Sequence, residues 1–229
     1  VGVEDLDLAF IFHVYHDQQL GKRLIYQLRR HYPDRPIICI SDGVEDAEFT
    51  EFAERYGVKY IQGDRLKTRR LGGQWADRMF RTFLEESPAA HLIKLDPDSF
   101  VLRPFDYLPV QDVFGTLNPE VPMLVRGGCV GYRRSAVEKI VNSELLHDPK
   151  YHDSRLYSYR RFSQFRHEHE PENRQFVSCV DRILADITKQ LDLSVGVWEE
   201  VNVLFRGLPS MKQCAVVHPV LLHAAAPCF

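Results

Sequence analysis

Apolar and polar positions fall into blocks along the first half of the chain, and the block lengths separate two kinds of element. Leu8 to Tyr15 is a near-continuous apolar run, the pattern of a strand buried on both faces. Gln19 to His31 carries Leu20, Leu24, Ile25 and Leu28 on one stripe and predicts a helix. Pro36 to Ile40 is a second short strand, ending in Ser41-Asp42-Gly43. Glu45 to Tyr56 predicts a helix that Gly57 terminates, and Val58 to Ile61 a third strand. Gln74 to Glu86 is a helix stopped by Pro88, feeding a strand at Leu92 to Leu95. Strands separated by helices of this length imply a parallel sheet covered on both faces.

The second half follows a different pattern. Val110 to Thr116 and Met123 to Arg126 predict strands, followed by a glycine-rich Gly127-Gly128-Cys129-Val130-Gly131-Tyr132. Ser135 to Val141 and Phe176 to Leu191 predict helices, the latter with Val180, Ile183, Leu184 and Ile187 as its stripe. Ser194 to Val197 and Ala215 to Val220 return to strand. Residues 143–175 lack aliphatic periodicity and are rich in Arg, Tyr and His, which predicts a long mobile excursion over a site. Within it His167-Glu168-His169-Glu170 lacks the i, i+4 histidine spacing of a helical zinc site and reads as a solvated loop.

Composition narrows the class. A chain of 229 residues with 45% apolar and 27% charged positions is an ordinary globular protein, long enough for one domain. A net charge of −3 gives no electrostatic case for nucleic acid or an anionic membrane. No apolar stretch reaches the length of a spanning helix, and the first residues do not resemble a signal peptide. The five cysteines, Cys39, Cys129, Cys179, Cys214 and Cys228, are dispersed and off metal-ligand spacing. They predict reduced thiols and a cytoplasmic protein, with Cys39 and Cys214 as small buried hydrophobes. The initial Val1, in place of a methionine, is expected either of a domain excised from a longer protein or of a trimmed chain.

The candidate chemistry centres on His91-Leu92-Ile93-Lys94-Leu95-Asp96-Pro97-Asp98-Ser99-Phe100-Val101. An apolar strand runs into two carboxylates spaced i, i+2; if the segment stays extended, both point to one face, roughly 6–7 Å apart. Pro97 biases Asp96 towards extended geometry. Two acids aimed at one point call for a positive partner, and a hard cation carrying a diphosphate is the natural one. The alternative is a polar turn between strands. Asp5-Leu6-Asp7 repeats the spacing but reads as a solvated lead-in.

In an open sheet of this type ligands bind at the C-terminal strand ends. Those ends are Tyr15-His16-Asp17, Ser41-Asp42-Gly43, Gln62-Gly63-Asp64 and Asp96-Pro97-Asp98. Asp42 could accept from a base edge or ribose hydroxyl, or could equally be a turn or helix cap. In Arg69-Arg70-Leu71-Gly72-Gly73-Gln74-Trp75, glycines at a helix entrance, Gly73 among them, let backbone approach a phosphate. Arg78, one turn on, could reach the same anion or be simply solvated. The segment is neither a Walker loop nor Gly-x-Gly-x-x-Gly.

Strand, Leu95-Asp96-Pro97-Asp98, strand, then the glycine-rich Arg126 to Tyr132 resembles the GT-A class of nucleotide-sugar-dependent glycosyltransferases, from Leu8 to about His223. The resemblance implies an α/β, Rossmann-like fold: a mostly parallel central sheet with helices on both faces, plus a smaller mixed sheet on the acceptor side. It implies a single domain, with 1–100 as nucleotide-binding half and 101–229 as acceptor-binding half. Asp96 and Asp98 would hold Mn²⁺ or Mg²⁺ on the donor diphosphate, and Tyr15, Asp42, Gly73, Arg78 and Lys94 would line the donor. Gly127 and Gly128 would border the donor sugar and the hydroxyl acceptor. Cys179-Val180-Asp181 resembles the start of the helix that carries the base of inverting members, with Asp181 in that place; the commoner Glu-Asp is here Val180-Asp181. A helix N-terminus also favours an acid through its dipole alone. Val216-Val217-His218-Pro219 offers His218 as a further metal ligand, with His223 in reserve. A UDP-sugar is the expected donor.

Two other functions fit parts of the pattern. A sugar-1-phosphate nucleotidyltransferase would carry a basic glycine-rich segment after the first strand, where this chain has His16-Asp17-Gln18-Gln19. A nucleotide- or carbohydrate-binding module without turnover would not need both acids.

Overall fold

The computed structural model describes residues 6–66, 71–118, 123–151, 180–204 and 215–219. In chain order the first half contains β1 (Leu8–Val14), α1 (Gln18–His31), β2 (Ile37–Ser41), α2 (Ala47–Arg55), β3 (Lys59–Ile61), α3 (Gly72–Glu86) and β4 (His91–Leu95). Then follow β5 (Phe100–Val101), β6 (Val113–Leu117), β7 (Val125–Arg133), α4 (Arg134–Asn142), α5 (Val180–Gln190), β8 (Val195–Val197), β9 (Val201–Leu204) and β10 (Val216–Pro219).

Seven strands form the central sheet in the order β3-β2-β1-β4-β7-β6-β8. β3, β2, β1 and β4 are parallel, β7 runs antiparallel to both β4 and β6, and β8 is parallel to β6. β5, β10 and β9 make a second sheet, mixed in direction. The α/β architecture implied by the resemblance, a mostly parallel central sheet with helices on both faces and a smaller mixed sheet, is what the chain adopts.

Two apolar layers hold it. Ala9, Ile11, Ile38, Ile40 and Leu92 pack against Trp75, Met79, Phe80 and Phe83 of α3, with α4 and α5 extending the layer through Val137, Ile140, Ile183 and Ile187. On the other face Phe10, Phe12, Cys39 and Ile93 meet Leu24, Ile25 and Leu28 of α1 and Phe49 of α2; Phe105, Trp198 and Val216 extend that layer to the smaller sheet. Full burial of β1 on both faces explains its unbroken apolar run. A buried Glu200 ties the seam: its carboxylate accepts from the Asp106 and Tyr107 N–H groups and pairs with Arg103 at 2.7 Å.

Some expectations need correction. The glycine-rich run, to which no element was assigned, continues the strand expected at Met123 to Arg126. Gly127, Gly128 and Gly131 lie inside β7, a central strand, and a Cβ at Gly131 would come within 2.0 Å of the Phe114 ring. Glycine there lets an aromatic ring lie across the strand. Ser143 to Tyr151 is not a free excursion: it forms 3₁₀ turns at Leu145–His147 and Pro149–Tyr151, with Leu146 and Tyr151 buried. The rest of that segment, with His167 and His169, lies outside the described residues. β5 is the strand expected after Asp98, whereas β9 was not anticipated. Cys39 and Cys129 are buried thiols, while Cys179, Cys214 and Cys228 lie outside the description. Among the described residues no helix is long and apolar enough to cross a membrane.

Candidate active site

The parallel strands deliver their C-terminal ends to one rim. β4 ends at Leu95 and the chain turns at once: the Ser99 N–H donates to the Asp96 carbonyl at 3.0 Å, closing a four-residue turn with Pro97 second. The expected extended Asp-x-Asp is therefore corrected to a turn. Asp at the first position and Pro at the second are the residues such a turn favours, and here they outweigh the extended bias on Asp96. The turn is anchored to β7, since Asp96 N–H donates to the Gly128 carbonyl at 3.0 Å and Ser99 Oγ–H to the same carbonyl at 2.9 Å. Gly128 thus holds the acidic turn through its backbone.

Asp98 is 7% exposed and Ser99 is buried, whereas Asp96 is half-buried. Lys94, also buried, donates to an Asp96 carboxylate oxygen and to the Gly127 carbonyl. Burial works against its ammonium, but Asp96 and Asp181 outweigh that and raise its pKa. Lys94 therefore stays charged and serves the acids directly. The Gly127 N–H donates to Asp181 Oδ2 at 3.1 Å, which brings Asp181, in the first turn of α5, to the same rim.

Asp42 and Arg78 meet each other. Arg78 donates to Asp42 Oδ1 at 3.0 Å and to the Asp64 carbonyl at 2.6 Å, and the Leu66 N–H reaches the same Asp42 oxygen at 2.7 Å. Gly73 is buried with Gly72 in the first turn of α3, whose N-cap residue Leu71 makes no side-chain cap bond. The Tyr15 ring faces the Arg65 guanidinium at 3.0 Å, and its N–H donates to Asp17 Oδ1. His218 lies on β10, its backbone opposite Val203, and its side chain is outside the description, as is all of His223.

Two residues at the rim were not singled out from sequence. Burial, with Asp98 and Asp96 close by, pushes Asp17 up to about 6. Its position after the first strand was the available signal. His13 is 9% exposed and its ring lies 4.0 Å from that of Trp75. Burial first, then the charges of Arg78 and Lys94, hold its pKa well below the usual value, so the imidazole is neutral. Both ring nitrogens lack a hydrogen-bond partner. A histidine inside an apolar strand carries no sequence mark that separates it from a core residue.

Neither the known family models nor the curated protein sequences match this chain. Among solved structures it is similar to the mannosyltransferase PcManGT from Pyrobaculum calidifontis, in complex with GDP-Man and Mn²⁺. The TM-score is 0.43 and the identity 8%, over 58% of this chain and 46% of that one. The chain thus spans less than half the length of that enzyme's chain. So remote a likeness transfers no residue role.

The donor set tests what cation would fit. Among the described residues no three His, Cys, Asp or Glu side chains are grouped to hold a metal ion. The rim instead offers the Asp96 and Asp98 carboxylates, close enough to Asp17 to raise its pKa. One or two carboxylates completed by phosphate oxygens and water is the usual Mg²⁺ arrangement, so the residues fit a cation that arrives with a diphosphate.

Proposed function

We propose that the protein is a metal-dependent glycosyltransferase that moves a sugar from a nucleotide-sugar donor, a UDP-sugar, to a hydroxyl of a carbohydrate or similar acceptor in the cytoplasm. The observation that carries this reading is the convergence at one rim of the Asp96–Asp98 turn, Lys94, Gly127 and Asp181.

Asp96 and Asp98 would hold the cation that carries the donor diphosphate, with His218 as the further candidate ligand. When bound, Mn²⁺ or Mg²⁺ supplies a Lewis acid for the departing diphosphate. The Tyr15 ring and the Asp42–Arg78 pair bound the nucleoside end. The N-terminal turn of α3 at Gly73 favours an anion through its amides. Gly127 and Gly128 border the sugar. Asp181 takes the proton from the acceptor hydroxyl as it attacks, which gives an inverting course.

Calorimetric titration of UDP, GDP and CDP, each with Mn²⁺ and with EDTA, tests the reading. Metal-dependent binding of UDP, lost in Asp98→Ala, is the expected result. Equal binding in EDTA, or full transfer by Asp98→Ala in excess Mn²⁺, refutes the metal role. Pyrophosphate release from a nucleoside triphosphate would instead favour a nucleotidyltransferase.

A further inference from the structure

Lys94 was expected to line the donor, but its ammonium is spent on the protein. It joins an oxygen of Asp96 to the carbonyl of Gly127, whose own N–H donates to Asp181. The three links run without a gap from the proposed metal acid to the proposed base. Gly127 leaves no room for a side chain: a Cβ there would lie 2.4 Å from Asp181 Oδ1 and 3.0 Å from Cγ and Oδ2. A contact below 3 Å forces a shift, and the group in the way is the carboxylate itself. β7 is paired on either side of Gly127, with β6 at Val125 and with β4 from Cys129 onward, and the obstructing group is the mobile end of a side chain, so the carboxylate gives way before the strand.

We infer that Lys94 and Gly127 are positioning residues that lock the carboxylate of Asp181 at a set place relative to Asp96. The inference deepens the proposed function and rests on it for the roles of the two acids. A base must sit within hydrogen-bond reach of the proton it takes, and a displacement of about 1 Å is enough to cost about a hundredfold in rate. Lys94 is suited to the link because a buried ammonium can donate to a carboxylate and a carbonyl at once. An apolar residue there would also remove the ammonium that donates to Asp96.

The test uses Lys94→Met, Lys94→Arg and Gly127→Ala, with Asp181→Asn to assign the Asp181 signal. In protein labelled with ¹³C at aspartate carboxyls and without nucleotide, the Asp181 resonance moves in Gly127→Ala and Lys94→Met. It returns towards its wild-type place in Lys94→Arg. An Asp181 resonance unmoved in Gly127→Ala and Lys94→Met overturns the inference, whatever the protein's activity. A panel of UDP-hexoses with Mn²⁺ provides the second readout. In both disruptive variants kcat falls about tenfold or more beyond any loss of Mn²⁺–UDP affinity, and Lys94→Arg recovers part of it. Losses of kcat and affinity in equal measure, without rescue by arginine, also overturn it. Wild-type protein that ignores Mn²⁺–UDP while the resonances move sinks the proposed function and leaves the physical link standing.

Discussion

Replacing Arg78 by methionine separates two accounts of the Asp42–Arg78 pair. If both side chains exist to grip a ligand, Arg78→Met weakens nucleotide binding and leaves folding stability alone. The geometry argues for more. The guanidinium and carboxylate are 3.0 Å apart, and their side chains are 19% and 12% exposed. Arg78 also donates to Asp64, and Asp42 also accepts from Leu66, so the pair fastens the segment after β3 to α3 and β2. Removing one member of a buried pair strands the other charge and costs about 3–5 kcal/mol. Residual exposure of both groups, and an Arg78 Nε already buried without a partner, place this case at about 3 kcal/mol. For a chain of this size that lowers Tm by about 6–12 °C. Asp42→Asn/Arg78→Met removes both charges and regains about 1–2 kcal/mol relative to Arg78→Met alone. Urea unfolding followed by the fluorescence of buried Trp75 and Trp198 measures each value. A loss below about 1 kcal/mol in Arg78→Met, or a double variant no more stable than the single, refutes the strut and returns the pair to ligand binding alone.

Asp17 gives a pH signature. Its folded pKa, about 6, lies above the unfolded value, so the folded state binds its proton more tightly. Its contribution is fully present below the unfolded pKa of about 4 and is lost as pH rises through about 6, so stability measured in EDTA falls across that window. Asp17→Asn flattens the fall; an unchanged slope in that variant contradicts the cluster of acids. At the seam of the two sheets, Glu200→Ala leaves the Asp106 and Tyr107 N–H groups short of their acceptor and costs about 3 kcal/mol, whereas Glu200→Gln costs about 1 kcal/mol. Denaturation midpoints that rank the two variants the other way would contradict that latch.

The parallel half of the fold was legible because burial leaves a direct trace in sequence. β1, buried on both faces, is an unbroken apolar run, and α1 shows its single buried stripe. Beyond Arg126, β7 was hidden because glycine has no side chain with which to show alternation, although four residues of the strand pair with β6 and five with β4. Asp96 and Asp98 were legible as chemistry, while their geometry was not: Pro97 supports both an extended segment and a turn, and the anchors on Gly128 select the turn. Lys94 read as a ligand group because Asp96, two residues on, was assigned to a metal, and its other partner, Gly127, lies 33 residues away. Asp17 and His13 owe their environments to neighbours that only the assembled sheet supplies.

The bonds that build the rim join residues far apart in the chain: Arg78 to Asp42 across 36 positions, Lys94 to Gly127 across 33 and Gly127 to Asp181 across 54. Closing such loops costs entropy before the contacts repay it, so contacts of this range form late. A nascent chain that has completed β1 to β4 owns the acidic turn but lacks the strand that anchors it and the helix that carries Asp181. The proposed site is thus a property of the finished sheet, complete only after residue 181 has folded home.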